Sequence, residues 1–313
     1  MPSDLYYDRD AIEFLARQFG REETGASSHW RQMHAAFRYT DGQLSGLRGF
    51  GTFTPRTRWI KSLAHRFLQQ PWRRLGRAFP GFRRIEGVAR AVALRQGRVY
   101  DLDVLRQALS AAYLEARVPS ALTPGKLLLV IGDGFGTLSS IALAAFPGVR
   151  VVAVNLVKSL LVDLLFVAQA VPDARTTLAT GSRSIAQALN DPRARLIALR
   201  ADDWKLISQV PAALAINIAS MQEMDPPVIG QYFNVLRAGP EATVFYCCNR
   251  EEKALPDGTT VRFSDYPWRP EDRILDDGLC PWHQQYYSAR PPFIHVYDGP
   301  IRHRLAVLAR DAP

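Results

Sequence analysis

The chain has 313 residues, 47% hydrophobic and 22% charged, with a formal net charge of +9; this describes one globular core domain with an appended segment. Its three cysteines, Cys247, Cys248 and Cys280, include an adjacent pair, which argues against a disulfide framework and for a reducing, cytoplasmic location, and their spacing does not suggest a zinc site. The acidic, polar start MPSDLYYDRDAIEF is not expected to act as a signal peptide, and no stretch supplies the ~20 clean apolar residues of a membrane-spanning helix, so no integral membrane association is expected.

Residues 1–120 read as a helical cap or lid, and residues 121–313 as the core domain. DRDAIEFLARQFG has an Asp cap, spaced apolar residues and a terminal Gly. TRWIKSLAHRFLQQPWRRLGRAF places Trp59, Ile60, Leu63, Phe67 and Leu68 at helical spacing before Pro71. DLDVLRQALSAAYLEAR starts from Asp101 or Asp103 as its cap. Between the first two helices, HWRQMHAAFRYTDGQLSGLRGFGTFTP is aromatic and glycine-rich, and reads as a loop or lid. Arg56 to Arg98 holds twelve Lys or Arg against one acid, Glu86. Such a block attracts anions or forms a solvated helix surface, and no nucleic-acid-binding motif accompanies it.

From Lys126 strands alternate with helices. The expected strands are KLLLVIG, VRVVAVN, ARLIALRADD, AALAINIAS and ATVFYCCN. The expected helices are TLSSIALAAFPG, KSLLVDLLFVAQAV, SRSIAQALN and DPPVIGQYFNVLRAG, the last capped by Asp225 with proline in its first turn. FIHVYDGPIRHRLAVLAR reads as two strands joined at Asp298-Gly299-Pro300. The expected fold is α/β, a Rossmann-like doubly wound, mostly parallel sheet ending in an antiparallel hairpin.

In such a sheet, ligands sit beyond the carboxyl ends of the strands. Gly132-Asp133-Gly134-Phe135-Gly136 would lie there, its glycines allowing a tight turn and close approach of a ligand. No GxxxxGK[ST] phosphate loop is present, and GxGxG departs from the GxGxxG dinucleotide fingerprint. GxGxG after the first strand, five alternating strands and a terminal hairpin together resemble the class I S-adenosylmethionine-dependent methyltransferases. That layout usually has an acid two positions before the first glycine, where Val130 stands, and an acid at the end of strand two, where Asn155 stands. Asn155 both donates to and accepts from hydroxyls, so it keeps the ribose role without charge.

NIASMQEMDPPVIGQYF, VFYCCNREEKALPDGTTVRFSDYPW and DDGLCPWHQQYYSARPPF resemble the family of sugar O-methyltransferases of glycosylated polyketide and surface-polysaccharide pathways. The likeness spans about residues 126 to 308 and extends to SSHW and LRGFGTF near the N-terminus. It implies S-adenosylmethionine as methyl donor and a sugar hydroxyl as acceptor, free or in a glycoconjugate; the basic block hints at an anionic acceptor such as a nucleotide-linked sugar. The rivals are a methyltransferase acting on RNA or a small aromatic molecule, and a binding module that has lost its cofactor site.

Removal of the hydroxyl proton calls for a general base. His283 and Glu223 are the candidates, and Glu223 reads equally as a helix N-terminal acid. Asp202, Asp203 and Trp204 after strand three, and Asn217 and Ser220 after strand four, stand where the donor is expected. His29, Trp30, Gln222, Arg250, Trp282, Gln284 and Tyr286 are acceptor candidates. Asp202, Asp203 and Glu223 offer hard oxygen ligands for Mg2+, but no spacing compels a metal, and none is expected.

Overall fold

The computed structural model describes residues 4–40, 42–50, 65–288 and 291–311. A nine-stranded sheet runs in the order β1-β6-β7-β5-β4-β8-β9-β15-β12. Six of its strands are mutually parallel: β4 (Leu127–Ile131), β5 (Arg150–Asn155), β6 (Arg175–Ala179), β7 (Ala194–Arg200), β8 (Ala212–Ile218) and β9 (Val244–Arg250). β1 (Leu5–Tyr7) closes one edge antiparallel to β6. β15 (Ile301–Val307) lies antiparallel between β9 and β12 (Arg273–Leu279). Three small hairpins lie outside this sheet: β2 (Arg38–Thr40) with β3 (Gln43–Ser45), β10 (Glu252–Ala254) with β11 (Thr260–Arg262), and β13 (Gln285–Tyr287) with β14 (Ile294–Val296).

The apolar runs of the central strands are explained by burial on both faces. Leu128, Val130, Val151 and Ala153 face one core; Leu127, Leu129, Ile131, Val152 and Val154 face the other. The first core is covered by α1 (Asp8–Gln18), α4 (Phe82–Arg95), α5 (Leu102–Arg117), α6 (Thr137–Ala145) and α7 (Val157–Ala170), with Trp72 of α3 (Gln70–Gly76) packed among them. The second is covered by α8 (Ser182–Asn190), the 3-10 segment Ala201–Gln209 and α9 (Pro226–Arg237). Among the described residues, no helix is long and apolar enough to cross a membrane.

The boundary expected near residue 120 runs through continuous packing: Ala11 and Leu15 share a core with Leu128 and Val130, and β1 belongs to the main sheet. Asp101, not Asp103, caps α5, its carboxylate accepting from the Val104 amide at 3.1 Å. The expected loop at 29–55 begins as helix α2 (Ser28–His34), followed by the β2–β3 hairpin. Trp59, Ile60 and Leu63 lie outside the described residues, and Phe67 is 78% exposed. Much of the basic block is used internally. Arg73 and Arg90 both pair with Glu86, Arg84 pairs with Glu115, and Arg95 donates to the Ala170 carbonyl.

Two expectations for the sheet need correction. β6 was not foreseen, because Thr176 and Thr177 interrupt its apolar pattern. The terminal hairpin of FIHVY with IRHRLAV does not form: β14 pairs with β13, and β15 with β9 and β12. Ile294 and Val296 are 40% and 73% exposed, whereas Ile301, Leu305 and Ala306 are buried, so only β15 has a core to enter. The antiparallel finish stands, with β12 supplying the second strand.

One buried ion pair locks the C-terminal half. Arg237, at the end of α9, donates to both oxygens of Asp272 at 2.6 and 2.8 Å, with 1% and 0% of the two side chains exposed. Arg237 also donates to the carbonyls of Ala309 and Pro267, each at 3.0 Å. Burial pushes the Asp272 carboxyl up, but Arg237 and the amides of Arg269 and Ala309 outweigh it and hold it below its ordinary value. The pair therefore stabilises the fold at neutral pH, and its contribution is lost as pH falls below the ordinary carboxylate range. Arg237→Ala leaves a buried unpaired carboxylate and should lower stability by about 3–5 kcal/mol, read as the urea-unfolding midpoint. A loss below about 1 kcal/mol would show the pair to be replaceable by water.

Candidate active site

The polypeptide leaves β4 through a left-handed turn, with φ of +70° at Gly132, +59° at Gly134, +59° at Phe135 and +54° at Gly136. The glycines here do different work. A Cβ on Gly132 would overlap the Ser220 hydroxyl, and one on Gly136 would lie 2.7 Å from the Asp163 carbonyl oxygen. One on Gly134 would lie 3.3 Å from the Phe50 ring. The Asp133 carboxylate accepts from the amides of Leu138 and Ser139, both at 2.7 Å, and so holds the first turn of α6.

A buried carboxylate serves this turn, but from α7 rather than from position 130. Asp163 accepts from the Gly136 amide at 3.0 Å and from Asn155 Nδ2 at 2.8 Å. Burial and the nearby Asp133 push its carboxyl well up. The Asn155 oxygen accepts from the Leu156 amide at 3.0 Å. Asn155 therefore borders the site with its amide engaged in holding the strand end, which departs from the ribose role expected of it.

A network of amides organises the opposite turn. Asn217 donates to the Ile131 carbonyl at 2.8 Å and accepts from the Met221 amide and from Asn249 Nδ2, at 3.1 and 2.9 Å. Asn249 accepts from the Gln222 amide at 3.1 Å, and the Gln222 side chain accepts from the Arg250 amide at 2.7 Å. The network ties β4, β8 and β9 together and sets Ser220 and Glu223 against the glycine turn. Ala219, at φ +58°, carries backbone strain at this point.

Two cavities of about 220 and 240 Å³ open at this edge, and both are lined by Trp30, Gly132, Asn155, Ser220 and Glu223. The first continues past Leu156, Ala201, Asp202, Trp204, Met224, Val228, Gln231 and Tyr232, with Thr24 and Gly25 from the N-terminal segment. Asp202 accepts from the Thr24 hydroxyl at 3.1 Å. The second continues past Phe50, Asp103, Arg106, Gln107, Asp133, Gly134, Gln222, Arg250, His283 and Tyr297.

Glu223 stands where the cavities meet. Its Oε1 lies 2.6 Å from Lys253 Nζ and 3.6 Å from His29 Nε2. Burial raises its carboxyl and Lys253 opposes the rise. Burial, with Lys253, pushes His29 down to about 4, so this ring is neutral at physiological pH. His283 is buried on the wall of the second cavity, and burial with Arg106 drives it well below its usual value. Arg106 is held by donation to the Trp282 carbonyl at 3.0 Å, Asp103 at 3.0 Å and the Tyr297 hydroxyl at 2.7 Å.

The remaining candidates fall elsewhere. Trp282 is buried in an aromatic cluster with Phe79 and Tyr113, and donates to Ser110 at 3.0 Å. Gln284 is consumed by the carbonyls of Cys280 and Ile301, at 2.9 and 2.6 Å. Tyr286 stacks on His295 in the β13–β14 hairpin. Asp203 forms a two-point pair with Arg200, and Asn217 is wholly buried. These five residues and His29 line neither cavity. Asp202, Asp203 and Glu223 take separate partners and do not converge as magnesium ligands.

Sequence reasoning missed Val228, Gln231 and Tyr232, and likewise Asp103, Arg106 and Gln107. Each trio has the i, i+3, i+4 spacing of one helix face, which does not say which face meets a cavity.

No protein-family model matches the chain, and no curated protein matches it in sequence. Solved structures resemble it in fold. One shows the conversion of a disulfide bond into a thioacetal group during echinomycin biosynthesis: 12% identity, TM-score 0.40, 65% of this chain and 82% of that one. The mitomycin 7-O-methyltransferase MmcR follows at 13% identity and TM-score 0.37, over 66% of this chain and 57% of its own. The pyocyanin biosynthetic protein PhzM follows at 14% identity and TM-score 0.36, over 64% of this chain and 58% of its own. The match thus takes in less than two thirds of the last two proteins. At such identities none of these proteins' activities follows for this chain.

The glycine geometry sets an order of stability. Gly136→Ala meets main chain and should lower the melting temperature more than Gly134→Ala, which meets only a ring edge facing a cavity; both carry the left-handed penalty of about 1–2 kcal/mol. Equal melting temperatures would show that the Asp163 carbonyl yields.

Proposed function

We propose that the chain is an S-adenosylmethionine-dependent O-methyltransferase acting on a sugar hydroxyl. The observation that supports it best is the pair of cavities meeting at Gly132, Asn155, Ser220 and Glu223. Such a junction suits transfer of a group between two separately bound molecules. The donor and acceptor class in this reading comes from the sequence motifs that resemble those of sugar O-methyltransferases.

The first cavity fits an adenosine. Trp204, Leu156 and Tyr232 offer apolar and aromatic wall, and Asp202 offers a carboxylate for an exocyclic amine or a ribose hydroxyl. The donor, when bound, supplies an electrophilic methyl group on a sulfonium. The second cavity fits a polyhydroxylated acceptor: Gln107 and Gln222 supply hydrogen-bonding amides, and Tyr297 and Phe50 supply rings. Arg250, whose guanidinium donates to the Asp298 carbonyl at 2.5 Å, retains further donors for an anionic substituent.

Among the described residues Glu223 is the one carboxylate common to both cavities, and we assign it the acceptor proton. Burial strengthens it as a base, while Lys253, at 2.6 Å, holds its orientation. The inward-turned amide of Asn155 favours a second reading, a binding module without donor affinity.

Calorimetry with S-adenosylmethionine and S-adenosylhomocysteine separates the two: binding of either is expected, and silence at millimolar ligand would leave only the module. With labelled donor and a panel of free and nucleotide-linked sugars, Glu223→Gln should reduce kcat about 100-fold with donor affinity retained. Activity of the unaltered chain should rise with pH through the raised Glu223 pKa and then level, and this limb should vanish in the variant. A rising limb that persists in Glu223→Gln would assign the proton to another group.

A further inference from the structure

Cys248 lies on β9, Cys280 directly follows β12, and His283 sits in the turn after it. All three are buried, and a ligand atom from each lies within 4.8 Å of the other two. Both cysteines are free thiols. His283 Nε2 is buried and has no hydrogen-bond partner among the described residues. An imidazole nitrogen buried without a partner forfeits its hydration with nothing in return, a cost that coordination of an ion would offset.

We propose that Cys248, Cys280 and His283 form a binding site for Zn2+, with a fourth coordination position open to the second cavity. Two sulfurs and an imidazole suit a borderline-soft ion rather than Mg2+. A tetrahedral zinc ion sets sulfur ligands about 3.8 Å apart, which is compatible with ligand atoms that all lie within 4.8 Å of one another. Three protein ligands leave one position for water or a cavity ligand. His283 borders the cavity, so an ion arriving there meets the imidazole first. As the two Zn–S bonds form, each thiol releases its proton to solvent, and His283 coordinates in its neutral form. Cysteine spacing did not suggest this site because Cys248 reaches it only through strand pairing: it stands opposite His303 of β15, and Cys280 hydrogen-bonds the β15 residue Ile301.

The site is independent of the methyl-transfer reading and is tested without activity. The full chain, kept reduced with a phosphine, is loaded with Zn2+ or Co2+, desalted and measured by elemental analysis and absorption spectroscopy. We expect one Zn2+ per chain and, with Co2+, sulfur-to-cobalt charge transfer with the intense visible bands of a tetrahedral site. Cys280→Ser and His283→Ala should each weaken binding by about tenfold or more, with folding checked by thermal melting. Cys247→Ser should leave binding unchanged, because Cys247 packs in the opposite core. No charge-transfer band in the unaltered chain would overturn the site, and that result depends on no variant's folding. Undiminished binding in both Cys280→Ser and His283→Ala, or its loss in Cys247→Ser, would overturn it equally.

Discussion

The candidate site depends on how closely the main chain after β4 approaches the turn after β8. Gly132 has no side chain, and the Ser220 hydroxyl occupies the space that a Cβ would need. That contact lies where the sheet order changes direction, with β5 on one side of β4 and β8 on the other. The left-handed run through Gly134 and Gly136 then turns the chain into α6 while its backbone still borders a cavity. Bulkier residues would separate the two turns, and the cavities would no longer share a wall.

Buried polar groups hold this arrangement through a set of side-chain hydrogen bonds to the main chain and to each other. Asp133 caps α6, Asp163 carries the glycine turn and Asn155 together, and the amides of Asn217, Asn249 and Gln222 bridge three strands. Networks of this kind favour one geometry because each broken bond leaves a desolvated partner. The basic block contributes to the same end. Arg98 lies over the Phe135 ring at 4.6 Å and donates to Thr137 at 3.1 Å, so part of the surplus charge braces the turn from behind. Glu223 differs in facing open space, with Lys253 and His29 behind it.

Legibility in the sequence followed the range of the cause. The glycine turn, the central apolar strands and the α9 helix with its leading prolines are local signals, and each stands within about three residues of its expected bounds. β6 was illegible because its threonines pack between β1 and β7, pairings set by distant segments. The β14 misreading has the same origin: a short apolar run shows strand tendency but not its partner. Of the residues read from their places at strand ends, Gly132, Ser220, Glu223, Asp202 and Trp204 line the cavities. Trp282, Gln284 and Tyr286 line neither cavity, and the sequence could not show this because a motif rich in rings and amides looks alike whether it faces a cavity or a core.

By itself the sequence determined that the chain alternates strand and helix around a parallel sheet, and that a glycine turn follows the first central strand. Those outcomes rest on apolar periodicity and on backbone freedom, which neighbouring residues specify. Only the tertiary structure decided that Asp163 serves the turn, that Asn155 points inward and that Glu223 joins two cavities. It alone brought Cys248 to Cys280 and His283. Each of these depends on which strands pair and which helix face meets the sheet, and burial on both faces leaves that choice to packing.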